Sequence, residues 1–190
     1  MDTTGNLRRI RSFEGHRIFL TPECTDDFDN FYRWHNDKEI QAGDGRTYRP
    51  MGPEQAREYF KAQLDNKDFI RLSIIMSDSG VQAGRICLYG IEPTHRVASW
   101  GLMLDKAFWR QGIGSEAARL VLRYAFDDLG VRKMQSVTNS GNVASARFQE
   151  SLGFVQEGCL RQAEIINNQI VDRLHYGLFR EEFDKVVGKS

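Results

Sequence analysis

The sequence predicts an α+β, or mixed α/β, layered fold, and three observations carry that expectation. Helical patterns come first, between residues 25 and 64. Two strand patterns joined by a hairpin turn follow, at 69–76 and 81–91. From 97 to 179 strand and helix patterns then alternate before closing on two strands.

Taken in order, residues 17–20 form a short strand. Thr25 can cap a helix whose first turn holds Asp26 and Asp27 near the positive end of the dipole. Phe28, Phe31, Tyr32 and His35 then share one helical face. Residues 43–50 read as a loop. Pro53 suits the first position of a second helix, which places Ala56, Tyr59, Phe60, Gln63 and Leu64 on one side. Ser77-Asp78-Ser79-Gly80 is the hairpin turn, and 97–104 is a third strand. Ala118, Val121, Leu122, Ala125 and Leu129 mark a strong amphipathic helix stopped by Gly130. A strand at 131–138, a helix at 142–152 ended by Gly153, and strands around the turn-like Asn167-Asn168 complete the pattern. Residues 1–14 are expected to be a flexible arm and 15–190 a single domain.

Bulk properties narrow the function. At 190 residues, 41% hydrophobic and 27% charged, the chain has an ordinary globular composition. Lys+Arg and Asp+Glu are both 26, so no overall basic footprint for nucleic acid exists. Arg8, Arg9 and Arg11 are a local basic group on the expected arm. Cys24, Cys87 and Cys159 show no disulfide or metal-ligand spacing, which predicts reduced thiols, a cytoplasmic protein and no metal. No apolar run suits a membrane span or a secretory leader.

The chemistry-bearing motif is Arg110-Gln111-Gly112-Ile113-Gly114-Ser115, set between a strand and the strong helix. Two glycines let backbone approach a ligand, and unpaired N–H groups at a helix start favour an anion such as a pyrophosphate. The same hexapeptide also suits a tight loop ahead of a packed helix. No Lys-Ser/Thr pair follows the glycines, so it is not a P-loop, and the third glycine of a dinucleotide fingerprint is absent. Downstream lies Asn142-Val143-Ala144-Ser145, ending in Leu152-Gly153-Phe154.

Together these blocks resemble the GNAT acetyltransferase family over residues 15–183. The first is similar to its acetyl-CoA pyrophosphate loop and the second to its Asn-x-x-Ser…Leu-Gly-Phe segment. The resemblance implies a GNAT-type fold, a central, mostly antiparallel twisted sheet flanked by helices. It implies acetyl-CoA as co-substrate, held by Arg110, Gln111, Gly112, Ile113, Gly114 and Ser115, by backbone groups of Leu102, Met103 and Leu104, and by Asn142, which could equally be a helix cap. The stretch Glu157 to Glu164 resembles the RimJ/RimL-type ribosomal-protein N-acetyltransferases, which implies Glu164 and Ser145 as catalytic residues. The chain departs from the family pattern at Trp109, where Gln or Arg is usual, at Gln149, where many members carry a tyrosine acid, and at Ser99, where many carry a glutamate.

The implied reaction is direct attack of a primary amine on the thioester. An α-amino group of pKa about 8 is roughly a tenth neutral at pH 7, while a lysine near 10.4 is far less available. A general base therefore helps, and Glu164 is the candidate, with Ser145 giving a proton to the departing thiolate. Without the resemblance, Glu164 would read as a surface charge and Ser145 as a residue near a helix start. His95 and Asp105 are expected at the surface near the site mouth, and Trp34 and Tyr48 in the core or the acceptor pocket. The acceptor is expected to be a protein N-terminus. A small amine is the alternative, and a non-catalytic acetyl-CoA-binding module is a third reading. Nucleic acid and membrane are not expected partners, and a homodimer is left open.

Overall fold

The computed structural model describes residues 9–43, 45 and 47–188. Arg8 of the expected basic group lies outside them. An eight-stranded sheet runs in the order β1-β2-β3-β4-β5-β6-β8-β7. Its strands are β1 (Phe13–Glu14), β2 (Ile18–Pro22), β3 (Phe69–Met76), β4 (Gln82–Glu92), β5 (Val97–Leu104), β6 (Lys133–Asn139), β7 (Val155–Ile166) and β8 (Gln169–Phe179). Every neighbouring pair is antiparallel except β5 and β6. The helices are α1 (Phe28–His35), α2 (Lys38–Gly43), α3 (Pro53–Asp65), α4 (Ile113–Asp127), α5 (Val143–Ser151) and α6 (Arg180–Val187).

The main core lies between α4 and one face of the sheet. Ala117, Ala118, Val121, Leu122 and Ala125 of α4 are fully buried, at the 3–4 residue spacing the sequence shows. They meet Leu20, Ile74, Ile86, Leu88, Ala98 and Met134, which alternate along their strands with residues of the other face. A smaller aromatic cluster of Phe28, Phe31 and Phe60 with Ala56 joins α1 to α3 on that other face. The turn 77–80 closes β3 onto β4, with Gly80 at φ +69° and its N–H donating to the Met76 carbonyl at 2.9 Å.

Several elements differ from expectation. Thr25 opens a short 3₁₀ turn, Thr25–Asp27, and is not the cap. Asp27 instead reaches back to accept from the Cys24 N–H at 2.9 Å. Asp27 is buried and also accepts from Ser73 Oγ at 2.7 Å and Arg9 Nη2 at 2.5 Å. Residues 9–14 are accordingly tied to the fold by this ion pair and by β1, rather than forming a free arm. Helix α2 occupies the approach to the expected loop, capped by Asp37 Oδ1, which accepts from the Glu39 and Ile40 N–H groups. Helix α6 was not anticipated. It buries Phe183 against Phe126 of α4 at a ring distance of 5.6 Å. No helix of the described residues is long and apolar enough to cross a membrane.

Candidate active site

The site begins with a defect in the sheet. Strands β5 and β6 run parallel but pair only through Val97–Lys133, Ala98–Met134 and Ser99–Gln135. On its other side β5 stays paired with β4 as far as Leu104, and β6 stays paired with β8 as far as Asn139. The two strands therefore diverge, and a wedge opens between Trp100–Leu104 and residues 136–139. The β5 edge in the wedge keeps backbone donors and acceptors without a neighbouring strand, and such groups need a partner. The wedge lies at the carboxyl ends of two parallel strands, where ligands of open sheets bind. The carbonyl of Leu104 is already engaged, since it accepts from Trp109 Nε1 at 3.0 Å. That bond gives Trp109 a structural task in the place where the family pattern has Gln or Arg.

Beside the wedge stands the N-terminus of α4. The first bond of the helix runs from Glu116 N–H to the Gly112 carbonyl at 3.0 Å, so the N–H groups of Ile113, Gly114 and Ser115 precede it. Gly112 is the N-cap at φ +79°, a left-handed conformation that glycine tolerates without cost. Arg110 also has positive φ, +59°, and is exposed. Gln111 folds back and donates through Nε2 to the Ala107 carbonyl at 2.5 Å. The two glycines prove to have different causes. A Cβ on Gly114 would lie 3.1 Å from Leu104 Cδ1 and 3.2 Å from Leu102 Cδ2, so its smallness serves the seating of α4 on β5. Gly112 alone is required by the turn itself.

Arg17, which sequence reasoning passed over, holds this loop. Its Nη1 donates to the Gln111 carbonyl at 2.8 Å, while its N–H and Nε donate to Glu116 at 2.8 and 3.2 Å. Burial works to raise the Glu116 carboxyl, but these bonds from Arg17 outweigh it and hold the group below its ordinary range. The contact joins residues 99 positions apart, and no local pattern announces it.

On the far side of the wedge, Asn142 caps α5, accepting from the Ser145 N–H at 3.0 Å and donating to the Gly43 carbonyl at 2.7 Å. Of the two roles open to Asn142, the cap is the one its contacts fill. Ser145 Oγ accepts from Gln149 Nε2 at 3.3 Å. Gln149 is buried, and its Oε1 has no hydrogen-bond partner. The indole N–H of Trp100, where the wedge starts, is likewise buried without one. Two orphaned polar atoms at the base of a cleft fit a site that takes a polar ligand.

Glu164 lies on β7 opposite Val171 of β8, where the register slips between Leu160 and Glu164. Its Oε1 accepts from Arg173 Nε at 2.7 Å. A Cβ on Gly141 would sit 3.7 Å from Val171 Cγ1, so the β7–β8 hairpin comes against the turn that leads to Asn142 and Ser145. The Glu164 and Ser145 segments thus border the same end of β6.

The remaining expectations sort clearly. Asp105 is buried rather than at the surface. It accepts from Trp34 Nε1 at 2.8 Å, Arg33 Nη1 at 2.6 Å and the Ala107 N–H at 2.9 Å. Trp34 is core, His95 is exposed, and Tyr48 is half-buried with Lys38 Nζ 5.4 Å from its ring.

Residues 17–155 match the acetyltransferase (GNAT) domain family. The SPbeta prophage-derived N-acetyltransferase YokL of Bacillus subtilis is 28% identical over 148 residues, 78% of this chain and 82% of that protein. YdaF of B. subtilis, named as a candidate ribosomal N-acetyltransferase, is 30% identical over 105 residues, 55% of this chain and 57% of that protein. The spermidine N(1)-acetyltransferase of Escherichia coli is 25% identical over 109 residues, 57% of this chain and 59% of that protein. Among solved structures, an acetyltransferase from T. thermophilus superposes with a TM-score of 0.76 at 30% identity, covering 92% of each chain. A parallel pair that parts after three residues, a helix N-terminus beside the gap and a family match over most of its length have one meaning: the chain belongs to the GNAT family and is an acetyl-CoA-dependent N-acetyltransferase.

Proposed function

We propose that the protein acetylates the N-terminal α-amine of a polypeptide. The observation that carries this is the state of the carboxylates on the sheet face opposite α4. Glu164 is paired with Arg173, and Glu23 with Arg85 at 2.9 Å. A polycation would need uncommitted carboxylates, whereas a single α-amine, partly neutral at physiological pH, does not. The likeness of YdaF supports the same reading. The likeness of the spermidine enzyme supports the alternative, a small amine acceptor.

In this reading the backbone of Leu102, Met103 and Leu104 takes the pantetheine arm as an added strand, with the Leu104 carbonyl already spent on Trp109. The N–H groups of Ile113, Gly114 and Ser115, with the loop Arg110, Gln111 and Gly112, take the pyrophosphate. Asn142 acts by holding the start of α5. Glu164 removes the amine proton, directly or through water, and Ser145 supplies a proton to the sulfur as the C–S bond breaks. The new amide C–N bond forms at the thioester carbon, and coenzyme A leaves as the thiol. The reduced state of Cys24, Cys87 and Cys159 is in keeping with work in the cytoplasm.

The test is thiol release from acetyl-CoA with N-terminal peptides, spermidine and amino sugars as acceptors. Turnover confined to peptides supports the proposal. Turnover confined to spermidine or an amino sugar replaces it with the alternative.

A further inference from the structure

The wedge fixes the side from which an acceptor arrives. On the α4 face, Leu102 and Leu104 are packed against Gly114. An amine must come from the opposite face, where β5 presents Gly101. A Cβ there would lie 3.5 Å from Cys87 Sγ and 4.0 Å from Tyr89 Cε1, so the sheet floor beside the wedge is low and apolar at this point. The rung that contains Gly101 continues through Cys87 of β4 to Arg71 of β3. Two strand spacings set Arg71 ~10 Å from the edge of the wedge.

Arg71 carries a charge that nothing nearby balances. It forms no ion pair among the described residues. Its one hydrogen bond, from Nη1 to the Asn66 carbonyl, is long at 3.4 Å, and its guanidinium lies 4.0 Å from the centre of the Phe69 ring. A guanidinium has five N–H donors, so most of its capacity is unspent. The neighbouring carboxylate, Glu23, is bonded instead to Arg85, which also donates to Gln63. Two guanidiniums thus share one carboxylate, leaving an excess positive charge on a half-buried floor. Burial first, and the Arg85 charge second, push the Arg71 pKa down. Glu23 Oε1 is itself buried without a partner, so the cluster is not a closed structural network.

We infer that Arg71 is a specificity subsite for a carboxylate of the acceptor, placed within the first three residues of the acetylated chain. The inference rests on the peptide α-amine reading above. An extended peptide advances about 3.4 Å per residue, so a chain whose amine lies in the wedge brings its second or third residue to Arg71. A planar guanidinium suits a carboxylate, and the Phe69 ring, stacked on Tyr89 at 5.3 Å, holds its plane. The carboxylate can come from an acidic side chain or from the C-terminus of a very short peptide.

The test uses the full chain with coenzyme A present and C-terminally labelled, amidated peptides beginning with serine. Glu or Gln occupies positions 2 and 3, and affinity is read by fluorescence anisotropy. The Glu peptide is expected to bind about tenfold tighter, the scale of one charge-assisted hydrogen bond. Arg71→Leu removes that preference while leaving the Gln peptide unchanged, and Arg71→Lys keeps part of it. Arg71→Gln serves if the leucine disturbs folding. Unlabelled Ser-Gly-Gly with a free or an amidated C-terminus, used as competitors, separates the two carboxylate sources. Equal binding of Glu and Gln peptides, a preference that survives in Arg71→Leu, or binding of neither peptide overturns the subsite. Because binding is measured without turnover, a protein that selects the acidic peptide through Arg71 but acetylates neither keeps the subsite and loses the peptide-acetylation reading.

Discussion

Gln149 donates its side-chain N–H to Ser145 Oγ at 3.3 Å, one turn away on α5, and leaves its own Oε1 buried without a partner. The bond uses a lone pair of the serine oxygen, so the serine proton is directed elsewhere. Ser145→Ala is expected to lower kcat about 100-fold, in the range of a positioned proton donor. Gln149→Leu is expected to lower kcat by about tenfold, the worth of one hydrogen bond in the transition state, without lowering the melting temperature, because the orphaned oxygen goes with it. Thiol release and thermal unfolding of the two variants check this. An acetyl thioester of a more acidic thiol should narrow both defects, since its sulfur needs less help to leave.

Glu164 is the proposed base and is held by Arg173. Glu164→Gln is expected to reduce kcat about 100-fold with the KM for acetyl-CoA unchanged, because the residue lies on β7, away from the α4 loop. Steady-state kinetics with acetyl-CoA varied at saturating acceptor measures it. A raised acetyl-CoA KM with unchanged kcat would remove Glu164 from the chemistry.

The two loop glycines should fail differently. Gly112→Ala forces a Cβ into a left-handed conformation, at a cost of about 1–2 kcal/mol, beside Arg17 Nη2, 3.1 Å from the added atom. Gly114→Val overpacks the contact with Leu102 and Leu104, costing about 1–3 kcal/mol and lifting α4 from β5. Urea unfolding gives the stabilities, and coenzyme A titration is expected to show the larger affinity loss in Gly114→Val.

Asp105 sets a pH dependence. Burial would raise its carboxyl, but bonds from Trp34, the Ala107 N–H and Arg33 overcome that and hold it below its ordinary 3.8. A folded-state value below the unfolded one means stability that is present above the unfolded pKa and lost as pH falls through the folded value. The stability difference between wild type and Asp105→Asn is therefore expected to be constant near pH 6 and to shrink below pH 4. Urea midpoints at several pH values test it, and a difference that widens on acidification would refute it.

Much of this architecture was legible. The face of Ala118, Val121, Leu122 and Ala125 is a helical period with no competing pattern, and it became the centre of the core. The turn 77–80 was legible because Gly80 and its polar neighbours interrupt two β-rich runs. Helix α2 was not, because Lys38–Gly43 is short and polar and is held by a cap from Asp37, not by an apolar stripe. Helix α6 rests on one deeply buried side chain, Phe183, which makes no period. In the site, the loop glycines were visible, but their separate causes were not, since Gly114 answers to side chains ten and twelve positions back on β5. The wedge itself leaves no mark on either strand. Strand patterns report that β5 and β6 exist, and only the tertiary fold decides that they part after Ser99.

That parting makes the sheet two leaves joined along a short spine. One leaf, β1 to β5, carries Arg71; the other, β6 to β8, carries Arg173, Glu164 and the strand leading into α5. The surface that meets the acceptor is therefore divided between bodies whose spacing the spine alone does not fix. A donor molecule lying in the wedge as a strand would complete the ladder and lock the leaves at one separation. The second substrate would then find its binding surface assembled only after the first had arrived, an order of events set by three residue pairs.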